Sequence, residues 1–418
     1  MTHYSAWALL RNALGGHQHW DRAWRDPEPR KSYDVIIIGG GGHGLATAYY
    51  LAKNHGIKNI AVLEKGYIGS GNAGRNTTIV RSNYMMQDNT AFYEHSMSLW
   101  RGMSQELNYN VMFSPRGYLY VTMSPSGHDA QIRRANIMRL NGIRADILSR
   151  EDVMKEAPYL DFSDEARFPI YGAMLQPDAG TARHDAVVWG YARAANALGV
   201  DIIQNCEVRD FEWSGERITG VHTSRGTISA GKVGMAVAGN TSPLAQKAGL
   251  QLPIDSHVLQ AYVTESIKPI VHHVVVWSAS YFYFSQSDKG GLVFGGHIDR
   301  YNSYAQRGNL ANVSEVTQAL VSAMPSAARL RVLRHWGGVM DMTPDGSPII
   351  TKTPVDGLYL NAGWCYGGFK ATPASGWCFA HTIANDAPHA YNAGFTLDRF
   401  AQGRYIDEAG TGPYNHLQ

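Results

Sequence analysis

The chain has 418 residues, 44% of them hydrophobic, with 37 basic against 35 acidic side chains and a formal net charge of +2. That is material for two domains, or for one large domain carrying an inserted one, and it offers no electrostatic reason to expect nucleic acid or an anionic membrane as partner. No apolar run approaches the roughly 18 residues of a membrane span. Residues 1–31 lack the apolar stretch of a signal peptide. Cys206, Cys365 and Cys378 are an odd set without C-x-x-C spacing, which argues for a reducing, cytoplasmic setting, with no disulfide framework and no metal site.

Residues 1–32 form an N-terminal arm in which Trp7, Trp20 and Trp24 are scattered among His, Arg and Asp ahead of Pro27 and Pro29. It reads either as a segment lying on its own domain or as a subunit contact, since aromatic and Arg side chains favour interfaces. At Tyr33 an apolar run begins that passes into Gly39-x-Gly41-x-x-Gly44, with Gly42 and His43 inside the motif. The pattern predicts strand, tight turn and helix: Gly39 for the turn, Gly41 for close approach of a pyrophosphate, Gly44 for helix against strand. Phosphates would meet the free N–H groups of the helix start. A second β run, 59–63, ends at Glu64, twenty residues past Gly44, where a carboxylate meets an adenosine ribose and repels the phosphate of NADP. FAD and NAD remain open. Residues 65–81, from Lys65 through Asn72, Arg75, Thr77 and Thr78 to Arg81, are dense in glycine and short polar side chains. Such a loop suits a flavin, whose buried polar atoms all need partners.

Further along, 87–107 predicts a helix, 117–122 a strand, 130–140 a helix, and Ser149 caps a short helix. Residues 171–180 read as a strand entering a turn that delivers Arg183 and His184, and 184–198 reads as an Ala-rich helix. Runs at 200–203, 208–213 (beginning at Val208), 218–221 and 227–229 have meander spacing, and 233–239, ending in Ala238 and Gly239, reads as a strand returning to the nucleotide sheet. Runs at 259–263, 274–277, 281–285 and 292–295 describe one antiparallel sheet, followed by a helix over 312–324. The runs 349–350 and 358–360 and the glycine-rich 363–376 then precede a last helix. A nucleotide domain left and re-entered is the consequence. The expected fold is α/β, a Rossmann-like FAD domain of the glutathione-reductase type formed by 33–90, 180–250 and 340–390. The inserted substrate domain, 91–179 and 251–339, is built on an antiparallel sheet with helices, and 391–418 is a C-terminal tail.

Taken in order, Gly39-x-Gly41-x-x-Gly44, Glu64-Lys65, Arg81, Ala238-Gly239, Thr343-Pro344-Asp345-Gly346 and Gly367-Gly368-Phe369-Lys370 resemble the FAD-dependent amine oxidases of the D-amino-acid oxidase and monomeric sarcosine oxidase type, over 33–387. Within that family, Gly71-Asn72 with Arg75-Asn-Thr-Thr78, Arg183-His184-Asp185-Ala186 and residues 369–376 are most similar to the β subunits of the heterotetrameric branch. The resemblance implies non-covalent FAD, a second flavin, FMN, held covalently on His184 and facing the α subunit, and γ and δ subunits completing the complex. It implies oxidation of the N-methyl group of sarcosine to glycine and a one-carbon unit, formaldehyde or 5,10-methylenetetrahydrofolate. Tetrahydrofolate as co-substrate would sit on another subunit, and electrons would pass to FMN and O₂ to give H₂O₂.

The same resemblance places the substrate carboxylate on Arg81 and Lys370, consistent with a planar fork and a compact second charge. His297 would bind the amine in its neutral form, with Tyr283 as a neighbour. Single-chain relatives attach FAD through a cysteine near the position of Gly338, which has no counterpart between Cys206 and Cys365. They also carry a lysine four residues before the histidine, where Val293 stands here; Lys289 and Arg300 are the basic residues nearby. A self-sufficient oxidase or dehydrogenase of another small amino acid, such as glycine, dimethylglycine or a D-amino acid, remains open, whereas the presence of Arg81, Lys370 and His297 speaks against a non-catalytic flavin subunit.

Overall fold

The computed structural model describes residues 5–18 and 22–408; Trp20 of the arm and residues 409–418 of the expected tail lie outside the described residues. The apolar run becomes the strand Ser32–Ile38, which pairs in parallel with Ile60–Leu63 and with Gly226–Met235. Across this sheet the order is Ile349–Lys352, Leu358–Ala362, Gly226–Met235, Ser32–Ile38, Ile60–Leu63, Asp201–Ile203. Strand alternation sends Val35 and Ile37 into a core with the helices Gly42–His55, Gln87–Glu106, His184–Ala197 and Gly368–Asn385, and Ile36 and Ile38 into a second core on the opposite face.

Several elements depart from the sequence reading. The run at 200–203 is not part of a meander: Asp201–Ile203 closes the parallel edge beside Ile60–Leu63. Only Val208–Ser214, Arg217–Thr223 and Gly226–Met235 zigzag antiparallel, and the last of these fuses the two runs at 227–229 and 233–239. Residues 91–106, expected in the substrate domain, bury Phe92, Met97, Trp100 and Met103 with the nucleotide-side helices. The last helix starts at Gly368, before the glycines end, and runs through Pro373. Gly376 there serves close packing, since a Cβ on it would come within 2.4 Å of the Ala46 Cβ.

The other large sheet has the order Val332–Met342, Asp255–Ser266, Gly291–Ile298, Phe282–Gln286, Val274–Trp277, Tyr118–Thr122, Gly172–Gln176, Asp146–Ser149. It is antiparallel except where Val274–Trp277 runs parallel to Tyr118–Thr122. One face, with Leu119, Val121, Phe282, Phe284 and Phe294, is covered by Val316, Leu320 and Ala323 of the helix Leu310–Ala323. Its first strand, Val332–Met342, is absent from the sequence reading because its paired glycines, Gly337 and Gly338, interrupt the period.

Part of the N-terminal arm lies on its own domain, as one of the two readings expects. Trp24 packs on the first core, and Arg25 and Arg30 reach Asp201 at 3.3 and 2.9 Å. By contrast Ala6–Leu14 is a helix that leaves Trp7, Leu10 and Leu14 exposed. Residues 391–408 are built into the body of the protein: Phe395 is in the first core, and the buried Arg399 donates to Asp345 at 2.8 and 3.0 Å. No helix among the described residues is long and apolar enough to cross a membrane.

Candidate functional site

Both sheets wall one cavity of about 1400 Å³. On the nucleotide side the three glycines of the motif have distinct physical reasons. A Cβ on Gly39, at φ 108°, would strike the Ala236 carbonyl oxygen at 2.3 Å, and one on Gly44 would strike the Gly39 carbonyl oxygen at 2.0 Å. Gly41 meets nothing within 4 Å and opens onto the cavity. Protein packing therefore requires the first two, whereas Gly41 leaves room for something outside the protein, at the N-terminus of the helix Gly42–His55 where N–H groups lack intrahelical partners. Glu64 closes the adjacent strand, its carboxylate accepting from the backbone N–H groups of Gly40 at 2.8 Å and Gly66 at 2.9 Å.

Of the other residues selected from sequence, Gly42, His43, Lys65, Asn72, Arg75, Thr77, Val208, Ala238, Gly239, Gly367 and Gly368 line this cavity. His43 packs tilted on Trp364 with ring centres 4.5 Å apart and is hydrogen-bonded to Ser375 Oγ at 2.5 Å; burial lowers its pKa to about 4, so it stays neutral. Asn72 uses its side chain as a strand mimic on the backbone of Val339, which joins the glycine loop to the end of the substrate sheet. Gly44, Thr78 and His184 do not line the cavity. The backbone N–H of Thr78, at φ 67°, donates to Asn76 Oδ1 at 2.6 Å.

The far wall brings together residues remote in sequence. Arg81 leaves the short strand Ile79–Val80, donates to Asn83, and lies over the rings of Tyr84 and Tyr118 at 5.1 and 5.4 Å. Lys370 is 5% exposed and donates to the Tyr366 carbonyl at 2.7 Å. Its own carbonyl is gripped by Ser96 Oγ at 2.6 Å and Trp100 Nε1 at 2.8 Å, which sets the start of the helix that carries it. The ammonium lies 5.9 Å from the Tyr84 ring centre, so Arg81 and Lys370 share one aromatic face system. Burial, and then the nearby Arg81, hold the Lys370 pKa well below that of an ordinary lysine. A guanidinium beside a buried lysine whose charged form lacks a counter-ion among the described residues is a site for an anion, which would favour the charged lysine.

His297 ends the strand Gly291–Ile298 with φ 50° and lines the same cavity. Tyr283 sits opposite Gly295 in register, and a Cβ on that glycine would lie 2.7 Å from the tyrosine oxygen, so the ring crosses the glycine on its way to the site. Thr77 Oγ1 donates to the Tyr283 hydroxyl at 3.2 Å, and burial raises the hydroxyl pKa.

Sequence reasoning missed Tyr84, Tyr118 and Asp341. The tyrosines carry no local mark among 23. Asp341 is buried at the cavity wall, accepts from Gly363 N–H at 2.6 Å, and burial pushes its pKa up to about 6. Cysteine position also reads differently in space. Gly338 lines the cavity as expected, but so do Cys206 and Cys365; the Cys365 thiol contacts Thr343 and burial pushes its pKa up to about 12, far from a reactive thiolate. Arg300 lines the cavity and Lys289 does not.

The family described as DAO, FAD dependent oxidoreductase, matches residues 34–382. The chain belongs to this family. The cavity fits its cofactor through the open space at Gly41, the unpaired N–H groups of the helix start and the carboxylate of Glu64. Among relatives, the sarcosine oxidase subunit beta of Rhizobium meliloti is 60% identical over 99% of both chains. That of Rhodobacter capsulatus is 50% identical over 98% of both. Among solved structures, L-proline dehydrogenase from P. horikoshii superposes with a TM-score of 0.84 at 26% identity, covering 90% of this chain and 99% of that one. The FAD-dependent oxidoreductases of this family thus supply both the fold and the cofactor class here: a Rossmann-like FAD domain with a second, mostly antiparallel sheet.

Proposed function

We propose that this oxidoreductase acts on sarcosine as the β subunit of a sarcosine oxidase complex. The observation that carries the reading is the convergence of Arg81 and Lys370 on the Tyr84 ring inside the FAD cavity, in a chain 60% identical to a sarcosine oxidase β subunit. The carboxylate of an amino acid is an anion that both cations fit: Arg81 offers a planar fork and Lys370 a point charge. His297, on the opposite strand end, accepts the amine N–H and holds the amine in its neutral form, because only a free nitrogen lone pair assists hydride loss from the methyl carbon. Tyr283 fixes the adjoining wall through Thr77.

When bound, the flavins supply electron acceptance, at non-covalent FAD from the methyl carbon and at covalent FMN toward O₂. His184 is our assignment for the FMN attachment. It begins the helix His184–Ala197 beside the Arg183–Asp185 pair, half-buried and away from the FAD cavity, and burial lowers its pKa so that the imidazole is neutral and nucleophilic. Tetrahydrofolate and the α, γ and δ chains belong to the assembly outside this polypeptide, and the arm helix Ala6–Leu14 with its exposed Trp7 is one face for them.

The structural likeness to L-proline dehydrogenase favours a second reading, a self-sufficient dehydrogenase or oxidase of another small amino acid. Acid extraction separates the two. FAD in the supernatant with FMN left on the His184 peptide, and anaerobic bleaching by sarcosine, support the complex subunit. FAD alone, with bleaching by another amino acid, would replace it.

A further inference from the structure

His297 is the one proposed substrate contact whose backbone is in the left-handed region, at φ 50°. For a residue with a Cβ that conformation persists only where its surroundings enforce it. The enforcing element is the helix Leu310–Ala323. Asn312, 5% exposed, donates from Nδ2 to the His297 carbonyl at 3.2 Å. Asn312 is itself fixed at both ends: its backbone N–H donates to the helix cap Asn309 at 2.9 Å, and its Oδ1 accepts from Tyr262 at 2.7 Å. Three residues on, and so on the same face of the helix, Glu315 brings Oε2 to 3.4 Å from His297 Nδ1. Glu315 lines the cavity beside His297. One helix therefore holds the histidine by its backbone and faces its ring with a carboxylate.

We infer that Glu315 is a positioning residue for His297: its carboxylate accepts a hydrogen bond from Nδ1–H, which holds the proton on that nitrogen and leaves the Nε2 lone pair directed at the substrate amine. Which imidazole nitrogen carries the proton is set by the hydrogen bond the other ring atom makes. A neutral imidazole with the proton on Nε2 would present a donor where the amine needs an acceptor. At 3.4 Å the contact is longer than a full hydrogen bond, and such contacts shorten when the site fills. The inference rests on the assignment of His297 to the substrate amine, and its test keeps the two apart.

In the assembled holoenzyme, Glu315→Gln should lower kcat/KM for sarcosine about tenfold, the scale of one charge-assisted hydrogen bond, with Tm unchanged because the residue is exposed. Glu315→Asp should restore part of the loss. His297→Gln should impair the enzyme more, and adding Glu315→Gln to it should cost nothing further, since residues acting through one another are not additive. Imidazole ¹⁵N spectra of histidine-labelled protein, assigned by difference against His297→Gln, should show the proton on Nδ1 and its redistribution in Glu315→Gln. If His297→Gln is impaired while Glu315→Gln is not, or if the double variant loses both effects in full, the role of Glu315 is refuted and that of His297 stands. A His297→Gln enzyme with unaltered kinetics instead removes the assignment of His297 itself.

Discussion

Two helices of this protein begin at chemistry, and they begin differently. Gly42–His55 starts from a glycine loop on the cavity, with no side chain at Gly41 to occupy the space in front of it. His184–Ala197 starts with Arg183, His184 and Asp185, which do not line that cavity, although Val187 and Val188 one turn on do. The first is a cradle made of backbone, suited to phosphates held by many weak donors. The second presents a half-buried histidine whose pKa burial lowers, the residue proposed to carry FMN. The contrast teaches that one helix start can be left open for a ligand while another is filled by its own side chains; the FMN proposed at His184 would use the second.

The largest expected effect comes from filling the cradle. Gly41→Val places a branched side chain where nothing lies within 4 Å and should abolish FAD binding, read as loss of visible absorbance in the acid-soluble fraction, while covalent flavin stays. His184→Ala should do the reverse: no covalent FMN after denaturation, FAD retained, and sarcosine still bleaching it. Covalent FMN persisting in that variant would mean that a different histidine carries it.

Within the cavity, Arg81→Ala and Lys370→Met should each lower kcat/KM for sarcosine by about ten- to a hundredfold, the worth of a charge-assisted contact of roughly 1.5–3 kcal/mol, with FAD still bound. Wild-type kinetics in either would end the carboxylate assignment. A smaller, rate-level effect is expected at Val293, four residues before His297 on the strand Gly291–Ile298. Reduced FAD should react slowly with O₂ in the His184→Ala protein, and Val293→Lys should speed it by placing positive charge where negative charge develops. Rapid reoxidation without that substitution, lost on Arg300→Ala, would transfer the role to Arg300, which lines the cavity.

The smallest effect is on stability. Burial raises the Asp341 carboxyl from 3.8 to about 6 in the folded protein, so between those values the folded state binds more protons than the unfolded one. Stability should therefore fall as pH rises from about 4 to 6, by about 3 kcal/mol at most. Asp341→Asn should flatten that part of the Tm profile, and an unaltered profile would show that another group sets it.

The amino-acid order alone determined the glycine turn, the acid twenty residues on, and the resemblance that named Arg81, Lys370 and His297. Those signals are local, written in a few adjacent residues whose backbone or charge requirements leave little choice. It left the helix through Pro373, the strand Val332–Met342 and the anchoring of residues 391–408 through Phe395 and Arg399 illegible. Glycines that serve close helix contact look like glycines that serve a loop, and an ion pair such as Asp345 with Arg399 joins residues that no periodicity connects. Tertiary structure alone decided that Tyr84 and Tyr118 bracket Arg81, that Lys370 loses its water beside it, and that Glu315 faces His297. Each depends on which side chains share a volume from which solvent is excluded, and that is a property of the packed chain and of no single segment.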